Sequence, residues 1–387
     1  MVARKLIAPI NEFLESETSG GLVLMASAVV AMIVANSPLV EAYEGTLDTK
    51  ILGLSVLHWI NDALMAVFFL LVGLEIKREF LSGELSSWSQ RILPAIAAAG
   101  GMAVPAIVYI ALNTGAEGKL IGWAVPSATD IAFALGIMAL LGPRVPASLK
   151  IFLMALAIID DLGAVVIIAV FYTNDIHLWA LAASAGVTAA LVALNLLGVK
   201  RLLPYLVLGV ALWVFMHESG VHATIAGVIL ALTIPSTGGS HSPLMKVEHV
   251  LARPVAFLIV PIFGFANAGI PFSGMSLESV FHPVTLGIAA GLFVGKQVGV
   301  FAATALIVWL KFAVKPYGAT WAQIYGVSLL CGVGFTMSLF IGHLAFPTEP
   351  QLMLEVKLGV MIGSIASGVI GAMLLSVVGP KPAPVAA

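Results

Sequence analysis

Apolar stretches of about 20 residues recur from one end of this chain to the other, and that repetition limits its fold more than any single motif. Coiled as a helix, 20 residues rise about 30 Å, the thickness of a bilayer's hydrocarbon core. Of the 387 residues, 60% are hydrophobic and 10% charged, against roughly 25% charged in an ordinary soluble domain. One water-facing core cannot absorb so many apolar segments. The sequence therefore implies an all-α polytopic membrane protein, a single integral membrane domain over residues 1–387 with helices from about 19 to 379 and short tails.

With glycine, proline and charge as punctuation, hydropathy gives about 12 transmembrane helices. They lie near 19–36, 54–77, 92–113, 121–141, 149–172, 177–199, 203–217, 220–235, 254–270, 284–312, 323–346 and 353–379, the seventh and eighth being short. The first ends at Asn36 and Ser37 without a small-residue cleavage pattern, so it reads as a retained helix, not a signal peptide. Lysine and arginine collect in cytoplasmic loops. With the N-terminus inside, fourteen of the 18 basic residues fall on the cytoplasmic side, from Arg4 and Lys5 to Lys381. Outside remain Lys50, Lys119 and Lys357, while Lys296 falls within a span. Both termini are thus expected in the cytoplasm.

Other classes drop out on composition. Cys331 is the single cysteine, which leaves neither a disulfide framework nor a thiolate metal site. Net charge is −2 with no basic cluster, which argues against nucleic acid. Between the first two spans, Thr46 to Leu57 contains KILGLSVL, which reads equally as a short β-hairpin or an ordinary loop. As a hairpin, its exposed edge would suit pairing with a second copy, making a homodimer.

An ionisable side chain at the centre of a spanning helix costs about 2.5–3.5 kcal/mol on insertion scales, so it persists beside a partner or a wet cavity. In ALAIIDDLGAVVIIAV, Asp160 and Asp161 occupy the middle of the fifth span. Adjacent helical residues diverge by about 100°, so one carboxylate can meet a cation while the other faces an aqueous funnel. Lys296, in LGIAAGLFVGKQVGVFAATAL, is the basic residue well inside a span, and a salt bridge to Asp160 or Asp161 would offset the desolvation of both charges.

Two further spans carry breaks. The fourth, GWAVPSATDIAFALGIMAL, has Pro126 followed by Ser127, Thr129 and Asp130; the eleventh, GVSLLCGVGFTMSLFIGHLAF, has Gly332 and Gly334 before Thr336 and Ser338. A helix broken at the midplane exposes partial charges at its ends. Asp130 is suited to facing positive N-terminal ends and Lys296 to facing negative C-terminal ends. The breaks fall at matching places in the two halves, with TDIAF echoed by TMSLF. Helices 3–5 and 10–12 are then candidate inverted repeats, with helices 4 and 11 crossing at the ion site.

WINDALMAVFFLLVGLEIKREF, PSATDIAFALG, KIFLMALAIIDDLGA, SGVHATIAGV, FANAG and LLCGVGFTMSLFI together resemble the NhaA family of bacterial sodium/proton antiporters, from about Thr18 to Gly371. The resemblance implies a bacterial inner membrane location and no enzymatic activity or cofactor; Na+, Li+ and H+ are the cargo. By that resemblance Asp161 is the principal carboxylate for sodium and protons, and Asp160 is its neighbour and the partner of Lys296. Thr129 and Asp130 match the polar break of the fourth helix, and Asp62 matches an acid on the second. Glu75, Arg78, Glu79, Glu248, His249 and His222 match residues associated with pH response. In EHVLARPV, Ala252 stands where some relatives have another histidine, which leaves the pH set point open.

A sodium ion is hard and prefers oxygen ligands, so Asp161 with oxygens from Asp160, Thr129 or nearby backbone can hold it in competition with protons. The resemblance further implies two protons per sodium. Rival readings keep the proton-coupled site with a different cargo, or make the chain an intramembrane enzyme. The stretch HESGVH does not read as zinc-binding, because His217 and His222 are five apart where H-E-x-x-H needs four. His217 and Glu218 are expected in an outer turn.

Overall fold

A computed structural model of the chain describes residues 19–173, 176–273 and 276–379, so the two tails, with Arg4, Lys5 and Lys381, lie outside the described residues. Helical segments occupy all twelve expected positions. Among the described residues nine helices are long and apolar enough to cross a membrane, or up to 11 if each bent pair is one span. The chain is an all-α polytopic protein with one small two-stranded sheet.

Besides the fourth span, which is broken between Ser127 and Ile131, three segments depart from a plain crossing. Span one, Ser19–Ala35, turns by 112° into a short helix, Val40–Asp48. The eighth, Ile225–Thr233, has nine residues and rises only about 14 Å. The eleventh is broken into Trp321–Leu330 and Phe335–Ala345, bent by 43°.

Elsewhere the spans are Val56–Ser82 (second), Trp88–Leu112 (third), Ala147–Phe171 (fifth), Leu178–Leu196 (sixth), Leu202–Ser219 (seventh), Pro243–Ala268 (ninth), Pro283–Trp309 (tenth) and Pro350–Val378 (twelfth). Two expected boundaries need correction. The ninth span begins at Pro243, not near 254: Ser242 accepts the amide of Met245, and Pro243 supplies a φ already suited to a first turn. The helix passes Pro254 by widening into a π-turn, Val255–Ile259, which accommodates a ring that has no N–H to donate. His217 and Glu218 are likewise not in a turn; they close the seventh helix, whose end is Ser219 before left-handed Gly220.

The hairpin forms. Strands β1 (Lys50–Ile51) and β2 (Leu54–Ser55) pair antiparallel, with Lys50 opposite Ser55 and Ile51 opposite Leu54. Leu52 and Gly53 turn the chain with φ of 52° and 90°, the positive pair that a two-residue hairpin turn demands and that glycine accepts without steric cost. Thr46 to Asp48 and Val56 to Leu57, at either end of the predicted stretch, are helical instead.

Close helix packing decides where the polar side chains meet. Spans three and ten touch backbone to backbone at Gly100 and Gly299: a Cβ on Gly100 would stand 2.5 Å from the Gly299 carbonyl oxygen. Small residues permit such approaches in a membrane, where lipid offers no hydrophobic drive. Beside it, Gly101 leaves room for Lys296, whose Nζ would lie 3.6 Å from a Cβ there. The largest buried cluster draws on spans two to five and eight to twelve, with Phe69, Tyr109, Ile168, Phe263, Ile288 and Phe340 among its members. Span six is the least buried, which suits the edge of the bundle.

Candidate ion-binding site

Two broken helices meet inside that cluster. The fourth span starts as a 3-10 helix, Leu120–Ser127, with Pro126 in its last turn; it then runs extended through Ala128 to Asp130 and resumes as an α-helix, Ile131–Leu141. The eleventh breaks between Cys331 and Gly334, where Gly332 and Gly334 carry the chain past spans ten and twelve. The breaks are bonded to each other. Asp130 N donates to the Val333 carbonyl (2.7 Å), Thr129 Oγ1 to the Cys331 carbonyl (2.9 Å) and Ser338 Oγ to the Val125 carbonyl (2.7 Å). Backbone groups freed by the breaks thus find partners without water.

Asp130 caps two helices at once. Its Oδ1 accepts the Phe133 amide at 2.9 Å, at the start of Ile131–Leu141. Its Oδ2 accepts both the amide (3.0 Å) and hydroxyl (2.5 Å) of Thr336, at the start of Phe335–Ala345. Both N-terminal ends, each carrying roughly half a positive charge, converge on one carboxylate. At the opposite polarity, Lys296 Nζ donates to the Ser127 carbonyl, the last residue of the 3-10 half, at 2.5 Å.

The same ammonium meets Asp160 Oδ2 at 2.5 Å, and both side chains are fully buried. The acid that pairs with Lys296 is therefore Asp160. Thr129 neighbours Asp160 as well. Asp161, 3% exposed, lies within the electrostatic reach of Asp160, Asp130, Glu75 and Lys296. Asp160 Oδ1 and Asp161 Oδ1 accept no hydrogen bond. Two unsatisfied carboxylate oxygens in a buried interior are costly, and their chemistry suits a proton or a hard cation.

Comparison with known proteins gives the family. The family model described as Na+/H+ antiporter 1 matches residues 11–375. The chain belongs to that family. It is 60% identical over 372 residues to the Na(+)/H(+) antiporter NhaA of Nitrobacter hamburgensis, covering 95% of this chain and 91% of that one. Similar proteins of the same name occur in Caulobacter vibrioides, 60% identical over 373 residues with 95% and 90% covered, and in Paramagnetospirillum magneticum, 59% over 375 residues with 97% and 98% covered.

In this member of the Na+/H+ antiporter 1 family, the residues matched to pH response do not form one group. At the end that carries most of the arginines and lysines, Arg78 bridges Glu248 (2.8 Å) and Glu79 (2.6 Å), and Glu79 also accepts the Glu84 amide at 2.7 Å. Glu75 stands one helical turn from Glu79, and His249 is exposed beside Glu248. His222 is elsewhere, at the hairpin end, with Nε2 3.7 Å from Asp62. The repeat echo also fails in register: Thr129 stands two residues before Ile131, where its helical half begins, whereas Thr336 stands one residue inside Phe335–Ala345.

The sequence reading named His222 but not the other two histidines that join Asp62. His58 Nε2 lies 3.4 Å and His217 Nδ1 3.6 Å from its Oδ2. His58 was legible as the i−4 neighbour of Asp62 on one helix. His217 was not, because a 155-residue separation along the chain leaves no local pattern.

Proposed function

We propose that this chain is a secondary active transporter that exports sodium or lithium in exchange for protons, electrogenically and under pH control. The observation that carries the reading is the pair of adjacent buried acids at the helix crossing, Asp160 tied to Lys296 and Asp161 with an unpartnered oxygen. Lys296 engages one Asp160 oxygen only. The Oδ1 atoms of both acids and the hydroxyl oxygen of Thr129, whose lone pairs remain after it donates to Cys331, form a hard-oxygen ligand set for Na+. Protons compete for the same carboxylates, so the site holds one cargo or the other. Exchange follows when only loaded forms change the side they face.

Two protons entering for each sodium leaving move one net charge, worth about 2.3 kcal/mol per 100 mV. Membrane potential then drives sodium out. Asp130 and Lys296 balance the crossing's helix ends in both loaded forms, and no cofactor takes part. The basic end, with Glu75, Arg78, Glu79, Glu248 and His249, faces the cytoplasm with both termini, consistent with the positive-inside bias. The location is a bacterial inner membrane, and the whole chain acts as one membrane domain. The hairpin, with Leu52 88% exposed, supplies an open edge on which a second copy pairs.

Proteoliposomes carrying a pH dye test the reading. Sodium and lithium, but not potassium, should release protons from the wild type. Asp161→Asn should insert and fold yet show no cation-triggered signal above empty vesicles; exchange at the normal rate by that variant defeats the assignment.

A further inference from the structure

Span ten is not a continuous α-helix. Its first part, Pro283–Ala290, passes through a π-turn, Gly291–Gly295, before the α-helix resumes at Lys296. The Lys296 amide donates to the Gly291 carbonyl, five residues back instead of four. A π-turn takes in one residue more than an α-turn, so the helix beyond it is turned by about 100° from where an unbroken helix would point it. The direction in which Lys296 leaves its helix is therefore set by this turn. Its glycines lie against prolines: a Cβ on Gly291 would stand 2.7 Å from Pro126 Cβ, and one on Gly295 would stand 2.6 Å from Pro105 Cα.

The turn is also bonded by a side chain. Gln297, 7% exposed, donates from Nε2 to the Phe293 carbonyl at 2.6 Å, in the middle of the turn. Its Oε1 accepts the hydroxyl of Tyr325, which belongs to the first half of span eleven. A carbonyl can only accept, so Phe293 fixes the amide nitrogen on its own side and leaves the amide oxygen for the hydroxyl. The Tyr325 ring is seated as well: it meets Phe301, one turn along span ten from Gln297, edge to face with centroids 5.3 Å apart.

We infer that Gln297 and Tyr325 are positioning residues for the ion site: through the π-turn they hold Lys296 on Asp160, and so keep Asp160 Oδ1 turned toward the cation. The inference rests on the exchange reading above and extends it to two residues that act only through Lys296. The ammonium has Asp160 Oδ2 and the Ser127 carbonyl at 2.5 Å each. A turn that relaxed to α-helical register would carry the lysine stem away from both. Asp160 would then present either oxygen, and the cation would lose one fixed ligand. Tyr325 lies on the half-helix that ends at the crossing, just before Cys331, whose carbonyl accepts the Thr129 hydroxyl. A shift of that half against span ten therefore reaches the ammonium and the break together.

The test reads sodium affinity separately from turnover, in proteoliposomes holding the full chain at one fixed pH. Tyr325→Phe removes the hydroxyl and keeps the ring. Its KM for sodium should rise about fivefold, the effect of one hydrogen bond of ordinary net strength, while kcat stays within about twofold of the wild type. Gln297→Leu, which removes both bonds, should raise the KM at least as much. Adding Tyr325→Phe to it should change nothing further, because the hydroxyl has no amide left to hold. An unchanged KM in Tyr325→Phe, a fall in kcat at constant KM, or single effects that multiply in the double variant each overturn the inference. Should Gln297→Leu fail to fold, Tyr325→Phe alone decides. A second measurement needs no transport: binding of radioactive sodium to the full chain in micelles should weaken by the same factor in Tyr325→Phe. Equal binding by that variant and the wild type overturns the inference, whereas a wild type that binds sodium without exchanging it for protons defeats only the exchange reading.

Discussion

The Lys296–Asp160 pair at the helix crossing and the Arg78–Glu248 pair at the basic end have similar lengths, 2.5 and 2.8 Å, and opposite surroundings. Both members of the first are 0% exposed; those of the second are 31% and 14% exposed. Arg78 has Glu79 as an alternative partner and keeps part of its side chain exposed. Lys296 has the Ser127 carbonyl and no water-facing surface. Distance alone therefore says little about what a bridge contributes. In the interior the cost of stripping water from two ions is offset only while both partners are present, whereas at an exposed end solvent replaces a lost partner.

The largest effect follows from removing one half of the buried pair. Lys296→Met leaves Asp160 without its counter-ion, and unfolding in micelles should show a loss of about 3–5 kcal/mol. Adding Asp160→Asn in the same chain should recover most of that loss, because no uncompensated charge remains. If the single and double variants are equally unstable, the pair is not the source of the cost and the contrast with the basic end breaks.

A smaller effect is expected where a buried carboxylate keeps its place but loses one donor. Thr336→Val removes the hydroxyl that reaches Asp130 Oδ2 while sparing the amide bond from the same residue. The loss should be about 1.5–3 kcal/mol, the range for a hydrogen bond to a charged group. Thr336→Ser, which restores the donor, should regain most of it. A valine variant as stable as the wild type would mean that helix-end charge, not the hydroxyl, holds Asp130.

The crossing was largely legible because each of its elements breaks a local rule. Pro126 and the pair Gly332 and Gly334 interrupt apolar runs, and Asp130, Asp160, Asp161 and Lys296 are ionisable where oil is expected. Which acid meets Lys296 was open from periodicity, since either neighbour on the fifth helix can turn toward span ten. The ninth helix was misjudged because Pro254 looked like a boundary; the start signal, Ser242 before Pro243, stood eleven residues earlier. The approach of His217 to Asp62 was beyond reach for a different reason. It depends on where the ends of spans two and seven come together, and hydropathy, which finds the spans, does not say which ends are neighbours.

The smallest effect belongs to the basic end. Glu248→Gln removes one of the two carboxylates bridged by Arg78 and leaves Glu79 in contact. Partly exposed pairs are worth about 0–1 kcal/mol, so stability should fall by less than 1 kcal/mol. The difference from wild type should shrink further in 1 M salt, where the screening length drops to about 3 Å. The Lys296→Met loss should respond less when the salt is potassium chloride, because a fully buried pair is screened far less than an exposed one. Measuring both variants at low and high potassium chloride separates burial from bond length as the cause: equal salt sensitivity would show that the two pairs are screened alike, and the contrast drawn from burial would break.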